Sequence, residues 1–482
     1  MNDAEKGSRR RAAERTRPTF DRAVLAPVAV VLLALAAVLL TTSAEPVTRA
    51  DTAGLSRGAL VDRTTFACPD LDAGGPVTST ASLGLAPAPA DLDVPSGGEV
   101  TQGPVASDGR PVDVRRGTVV DVPTTGGPAV DATGGAAAGL FGFRSDEQDR
   151  RTLGVSACSA PRSQWWFAGA GAGLDHSSTL VLANVDPGPA VLDLTVLGPD
   201  GEVETVGTQG VTLPPHSVRR VALSEIAPQT DDLALGVRTS RGRVVAAVDD
   251  TFSAKASGRP GQDWLAGTDL PSRTLRLAGL PATSGSTRLL VANPSDLEAV
   301  VEVRVAGRSG TFTPDGLEPI TVAPGTIEQL DLTDVLPTKE AVALRLRSRV
   351  PVVASVRVTD AGDHSYATPV APLTGPAAAP VLPGSDATVQ LTAGPVAAKA
   401  TVTTYDADGK RVGGTVLALD ATATATWSPG RRAAYVVVSP STGQGSGTVH
   451  GAVTYARRGI ASVPLTPLPL QVVRPSVRPG LR

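Results

Sequence analysis

Residues Leu180-Val181-Leu182-Ala183-Asn184 return as Leu289-Leu290-Val291-Ala292-Asn293, 109 positions later. The match extends well beyond this pentapeptide. Laid over one another without a gap, Ser178–Arg238 and Thr287–Arg347 share 16 identities in 61 positions, well above what the composition gives by chance. Pro215/Pro324, Leu223/Leu332 and Pro228/Pro337 keep the register, and a one-residue deletion then aligns Val244–Val248 with Val352–Val356. A third, weaker copy follows. Ala398–Gly409 is similar to Ala190–Gly201, and Val449–Tyr455 to Val244–Asp250. Residues 66–161 have the same spacing of strand-like and turn-like stretches and read as a degenerate first unit. A chain that repeats at this length must build several similar small domains rather than one large core.

Within each unit the apolar period is two. Leu192, Leu194 and Val196 alternate with Val191, Asp193 and Thr195, while Val301, Val303 and Val305 alternate with Glu302 and Arg304. That is the pattern of strands with one buried and one wetter face. Asp200-Gly201 and Asp408-Gly409 are hairpin signals, and Pro214-Pro215 and Ala323-Pro324-Gly325 mark loops. The 51 glycines and 41 prolines fit turns between many short strands. With 7 Phe, 4 Trp and 4 Tyr, the cores must be mainly Val, Leu and Ala. The expected fold is mostly β: tandem β-sandwich modules of immunoglobulin-like size after one N-terminal transmembrane helix. The expected boundaries are 162–271, 272–374 and 375–470 for the three repeats and 66–161 for the degenerate unit. Modules in tandem with short linkers suggest a rod.

The N-terminus supplies the membrane expectation. Residues 1–22 form a basic tail with seven cationic and four acidic side chains. Residues 23–44 carry no charge, and about 20 apolar residues span a bilayer core. The arginine-rich side should remain cytoplasmic, which places everything after a 45–65 linker outside. The alternative is a signal peptide cut near Ala44, giving a secreted protein. Residues 471–482 read as a flexible basic tail.

Cys68 and Cys158 are the only two cysteines. In an oxidising compartment they are expected to pair. Two cysteines and four histidines leave no multi-ligand zinc or iron–sulfur site, and no metal or cofactor is expected. Gly54-Leu55-Ser56-Arg57-Gly58 matches a nucleophile elbow by letter, but it sits in a polar linker rather than between a strand and a helix. Asp406-Ala407-Asp408-Gly409 reads as a turn rather than a calcium loop. Asp175-His176-Ser177 and Asp363-His364-Ser365 contain triad letters. Neighbours in an extended chain point to opposite faces, so both read as polar loops. No catalytic residue is expected. Trp165 and Trp166 can supply one ring to the core and one to an outside partner. The acidic stretch Asp146, Glu147 and Asp149 is a second contact candidate. Nucleic acid is excluded as a partner, because no basic, aromatic-studded face is apparent.

Several motifs together have a family character: Cys68-Pro69, Cys158 ahead of Trp166-Phe167, the repeated Leu/Val-Ala-Asn strands, Asp263-Trp264-Leu265 between units, and Ala371-Pro372-Leu373-Thr374-Gly375 after the second. Over roughly residues 60–460 the chain resembles a family of exported, membrane-anchored actinobacterial proteins of unknown function. The resemblance implies a cell-envelope setting and brings no activity with it. The expected role is therefore a non-enzymatic, extracytoplasmic scaffold or interaction module whose partner is an envelope protein or cell-wall glycan. Two alternatives stand beside it: an exported hydrolase acting on cell-wall glycan, and a regulator or inhibitor of a neighbouring membrane enzyme.

Overall fold

The alternation seen in the sequence is the alternation that folds. Along residues 190–196 of the strand Ala190–Gly198 and 299–305 of Ala299–Gly307 every second side chain is buried and the residues between them are half-buried or exposed, while the last two residues of each strand are buried on both faces. A computed structural model describes residues 58–473, apart from 70–76, 125–126, 255–257, 259, 284 and 458. Contacts divide the chain into a unit of Leu60–Val472 and a second one of Met1–Ala59 with Val473–Arg482, nearly all of which lies outside the described residues. The expected membrane segment at 23–44 lies outside them too, and of the tail expected at 471–482 only Gln471–Val473 is described, as a short strand rather than a loose end. Among the described residues there is no α-helix, and none is long and apolar enough to cross a membrane.

Leu60–Val472 contains four modules, each of two packed antiparallel sheets. In the second module one sheet runs in the order Gln164–Ala170, Leu233–Arg241, Ala190–Gly198, Gly201–Glu202. The other runs Ser217–Ala222, His176–Asn184, Val245–Phe252, Gly261–Leu265. The modules that begin at Arg63, Ser272 and Ala377 have the same strand order, so the degenerate first unit shares the topology of the rest. The deletion noted in the third module has a visible effect. Two strands that are separate in module two, Leu233–Arg241 and Val245–Phe252, are there one 19-residue strand, Val342–Asp360, that passes through both sheets.

The repeated Leu/Val-Ala-Asn motif ends a core strand, and its asparagine is fully buried. Asn184 Nδ2 donates to the carbonyls of Gly188, Leu213 and Pro214 at 2.9, 3.3 and 2.9 Å. Asn293 does the same to Leu297, Val322 and Ala323 at 2.7, 3.1 and 3.3 Å. The amide holds three loop carbonyls to the end of the strand and gives the covered carbonyls of the buried residues Leu213 and Val322 the partner they need, which explains why the motif recurs where a strand meets its loop.

The modules do not form the expected rod. Each packs on the next, and the fourth packs on the first. Modules one and two share an apolar contact of Ala67, Val105, Ala183, Val185 and Val245. Modules two and three share Trp166, Ala168, Leu197, Leu290, Ile327 and Val353. Between modules three and four, Gln390 receives the Gly279 amide and donates to the Val342 carbonyl at 2.6 Å. The circle closes where Phe141 and Phe143 of module one pack with Ala378, Tyr435 and Leu468 of module four. There the Tyr435 hydroxyl donates to the Gly117 carbonyl at 2.5 Å. Apolar side chains left on the outer faces of short sandwiches are covered this way, which a linear array would leave wet.

Cores are also shared around the circle. The last strands of the four modules (Thr152–Ala157, Gly261–Leu265, Asp363–Ala367 and Ala461–Pro464) meet at a common centre. Tyr366 of module three lies in the core of module two. Ile460 of module four lies in that of module three. Leu153 and Val155 of module one lie in that of module four.

Candidate functional site

Cys68 and Cys158 are disulfide-bonded, with Cα atoms 4.1 Å apart, in the core of module one. Both indoles of the Trp165-Trp166 pair are turned inward. Trp165 is buried in the core of module two and donates Nε1 to the Val244 carbonyl at 2.9 Å. Trp166 is buried in the contact between modules two and three, so its partner is another part of the same chain. Asp146, expected on an acidic surface, is buried as well. It pairs with Arg144 at 3.0 Å and accepts from Trp264 Nε1 of module two at 2.6 Å. Asp406-Ala407-Asp408-Gly409 is a turn, closed by the Lys410 amide on Asp406 Oδ1 at 2.8 Å and by positive φ at Gly409. Of the elbow-like stretch, Gly54–Arg57 lies outside the described residues.

The two Asp-His-Ser tripeptides are the largest departure from expectation. Neither is a polar loop at its histidine. His176 opens the strand His176–Asn184 in module two, and His364 lies in the closing strand of module three. Both are buried, and both reach one carboxylate, Asp250, which is fully enclosed. His176 Nε2 is 2.9 Å from Asp250 Oδ1, and His364 Nε2 is 3.0 Å from Oδ2. Ser178 donates to Oδ1 and the Tyr366 hydroxyl donates to Oδ2 at 2.8 Å. Four donors from two modules thus converge on one buried anion. The opposite-face argument is correct for each tripeptide by itself. It fails because the relevant partner comes from elsewhere in the fold.

The electrostatics of this cluster are consistent. Burial works to raise the Asp250 carboxyl, but His176 and His364 outweigh it and hold the group far below the usual carboxylate range. His176 has an oxygen at each ring nitrogen, the other being the Asp231 carbonyl at 2.5 Å from Nδ1. Burial pushes His364 below its ordinary value against the pull of Asp250. Its Nδ1 is covered and without a hydrogen-bond partner. Burial and Asp250 together hold the Tyr366 phenol well above its normal range. Beside them Arg357 donates to Asp232 at 3.2 Å and stacks 4.2 Å over the Phe252 ring.

This is not a nucleophile relay. Ser178 donates directly to Asp250 and bypasses the imidazoles, whereas a hydrolytic serine must hand its proton to a histidine at a face a substrate can reach. The chemistry present is that of a buried polar lock between two modules, gathered on one fully hydrogen-bonded carboxylate.

Two more buried carboxyls sit at the centre. Asp363 Oδ2 accepts the amides of Leu153 in module one and Ile460 in module four, at 3.1 and 2.8 Å. Asp263 Oδ2 of module two accepts the Tyr366 amide at 3.1 Å. The Oδ1 atom of each is covered and unpartnered. Burial, against these amide bonds, raises Asp363 to about 7. Burial together with the nearby Asp363 raises Asp263 well above the carboxylate range. All four modules are therefore tied by two carboxyls of depressed acidity. The sequence offered one signal for the site, the recurrence of Asp-His-Ser in a chain with four histidines.

No curated protein matches the chain. Among solved structures, the full-length RrgB pilus protein from Streptococcus pneumoniae is similar at 12% identity over 64% of each chain, with a TM-score of 0.11, too low to bear on the fold. A family model does match, over residues 116–430, from the middle of module one through most of module four. The chain belongs to that family, DUF5719, a family of unknown function.

Proposed function

We propose that the protein is a non-enzymatic component of the cell envelope, anchored through residues 23–44, whose four-module ring serves outside the membrane as a rigid platform for an envelope protein or a cell-wall glycan. The observation that carries this reading is the way its buried polar chemistry is used. Asp250, His176, His364 and Tyr366 are consumed in joining modules two and three, and Asp263 and Asp363 in joining all four. Chemistry spent on rigidity supports a scaffold better than a hydrolase, whose carboxylates must stand at an open cleft. The Cys68–Cys158 bond supports an oxidising compartment, since such bonds do not persist against cytosolic thiols.

The test is protease accessibility and crosslinking in intact cells. The ring should be cleaved by externally added protease and should crosslink to an envelope component. Protection of the ring in intact cells, or recovery of Cys68 and Cys158 as free thiols, would refute the placement.

A further inference from the structure

Above the buried lock, the described residues of modules two and three line a cleft of about 650 Å3. Its volume lies within the 300–1,000 Å3 range common for small-ligand sites. Its two walls carry opposite charge. Module two supplies Asp175, Asp231 and Asp232, and module three supplies Arg288 and Arg357. At the floor, Arg357 and Asp232 are joined across the gap, with the guanidinium on the Phe252 ring. Higher up, the walls are not joined in this way. Arg288 donates to Gln329 at 3.0 Å and stands 3.8 Å from Asp331, both on its own side, and its side chain is 41% exposed. Asp231 is exposed opposite, and its Oδ1 occupies the place where a side chain at Gly173 would begin. The glycine lets the carboxylate lie flat against its wall.

A space with carboxylates on one side and a guanidinium on the other selects its occupant by charge layout. A phosphate dianion would face three carboxylates, and a simple cation would face two guanidiniums. A molecule with an ammonium at one end and a carboxylate at the other meets a complementary group at each. The lock beneath fixes the separation of the walls, so the site is preorganised. We propose that this cleft binds a zwitterionic amino acid or short peptide, with its carboxylate toward Arg288 and its ammonium toward Asp231. The proposal does not depend on where in the cell the protein resides.

The experiment is titration calorimetry on the full chain in detergent, with glycine, glycylglycine, triglycine and alanylalanine, each peptide also in N-acetylated and C-amidated form. At least one free zwitterion should bind with a Kd at or below roughly 1 mM. Capping either end should weaken binding tenfold or more, and the ordering by length separates a free amino acid from a peptide. Arg288→Ala and Asp231→Asn should each cost tenfold or more, while Arg288→Lys retains part of the affinity. Unchanged melting temperatures confirm that these exposed positions have not unfolded the ring. Binding of no zwitterion at that concentration, equal binding of capped peptides, tighter binding of inorganic phosphate, or unchanged affinity in Arg288→Ala would each overturn the proposal.

Discussion

Asp363 shows what a single side chain does in this ring. One oxygen clamps two modules, and the other is covered with nothing to accept from. With a folded pKa of about 7 against roughly 3.9 in an unfolded chain, the native state keeps a proton that the unfolded state has lost across that interval. Its contribution to stability is present below about pH 4 and is lost as the pH rises through 7. Asp249, also raised to about 7 by burial, acts with the same sign. Asp250 acts oppositely, since its stabilisation is lost only in strong acid. Replacing Asp363 by Asn keeps the acceptor and removes the titration. The gap in stability between pH 5 and pH 8, read from urea midpoints, should then narrow by about 3 kcal/mol, Asp249 accounting for part of what remains. An undiminished difference between the two pH values would show that Asp363 is not the group responsible. None of this was legible beforehand. Asp250 aligns with Val358 in the next repeat, so the repeat pattern gave no reason to single it out, and only the meeting of modules two and three makes it a hub.

At the scale of elements the sequence was more informative, because strand burial is local and periodic. The alternation in Ala190–Gly198 and Ala299–Gly307 and the turns at Asp200-Gly201 and Asp408-Gly409 appear in the fold as read. The repeated asparagine was visible as a recurrence but not as a mechanism, since its three carbonyl partners lie up to 30 residues away. Asn293→Ala leaves the buried Val322 carbonyl without its partner and should cost about 1–3 kcal/mol, read from denaturant midpoints. Ser295→Ala beside it, at a more exposed place, should cost less. Equal losses for the two would show that the asparagine is not the anchor. The 19-residue strand of module three was half legible. The deletion was seen, but its result, one strand serving two sheets, depends on the sheets lying in line.

For the whole molecule, composition and repeat length pointed to several modules, and the ring was invisible. Closure depends on contacts between residues more than 300 positions apart, such as Tyr435 with Gly117, and no local pattern encodes them. Shared cores predict how the ring fails. The disulfide closes a separation of 90 residues in module one, worth about 4–5 kcal/mol in the chain-entropy account. Because Leu153 and Val155 of that module sit in the core of module four, its loss should not stay local. Calorimetry of the Cys68→Ser, Cys158→Ser double variant should show one transition at lower temperature. A separate early transition, with the remaining modules melting as before, would mean that the cores are independent.

The contact between modules one and four has a mechanical consequence. The Val61 amide donates to the Leu470 carbonyl at 3.1 Å, so the chain leaves the ring where it entered. Four sandwiches in a line would add their lengths to a tether, whereas these four add almost none. Pulling on the two ends would not stretch the array but peel one strand contact from another. The ring works as a bead on the chain, not as a spacer within it.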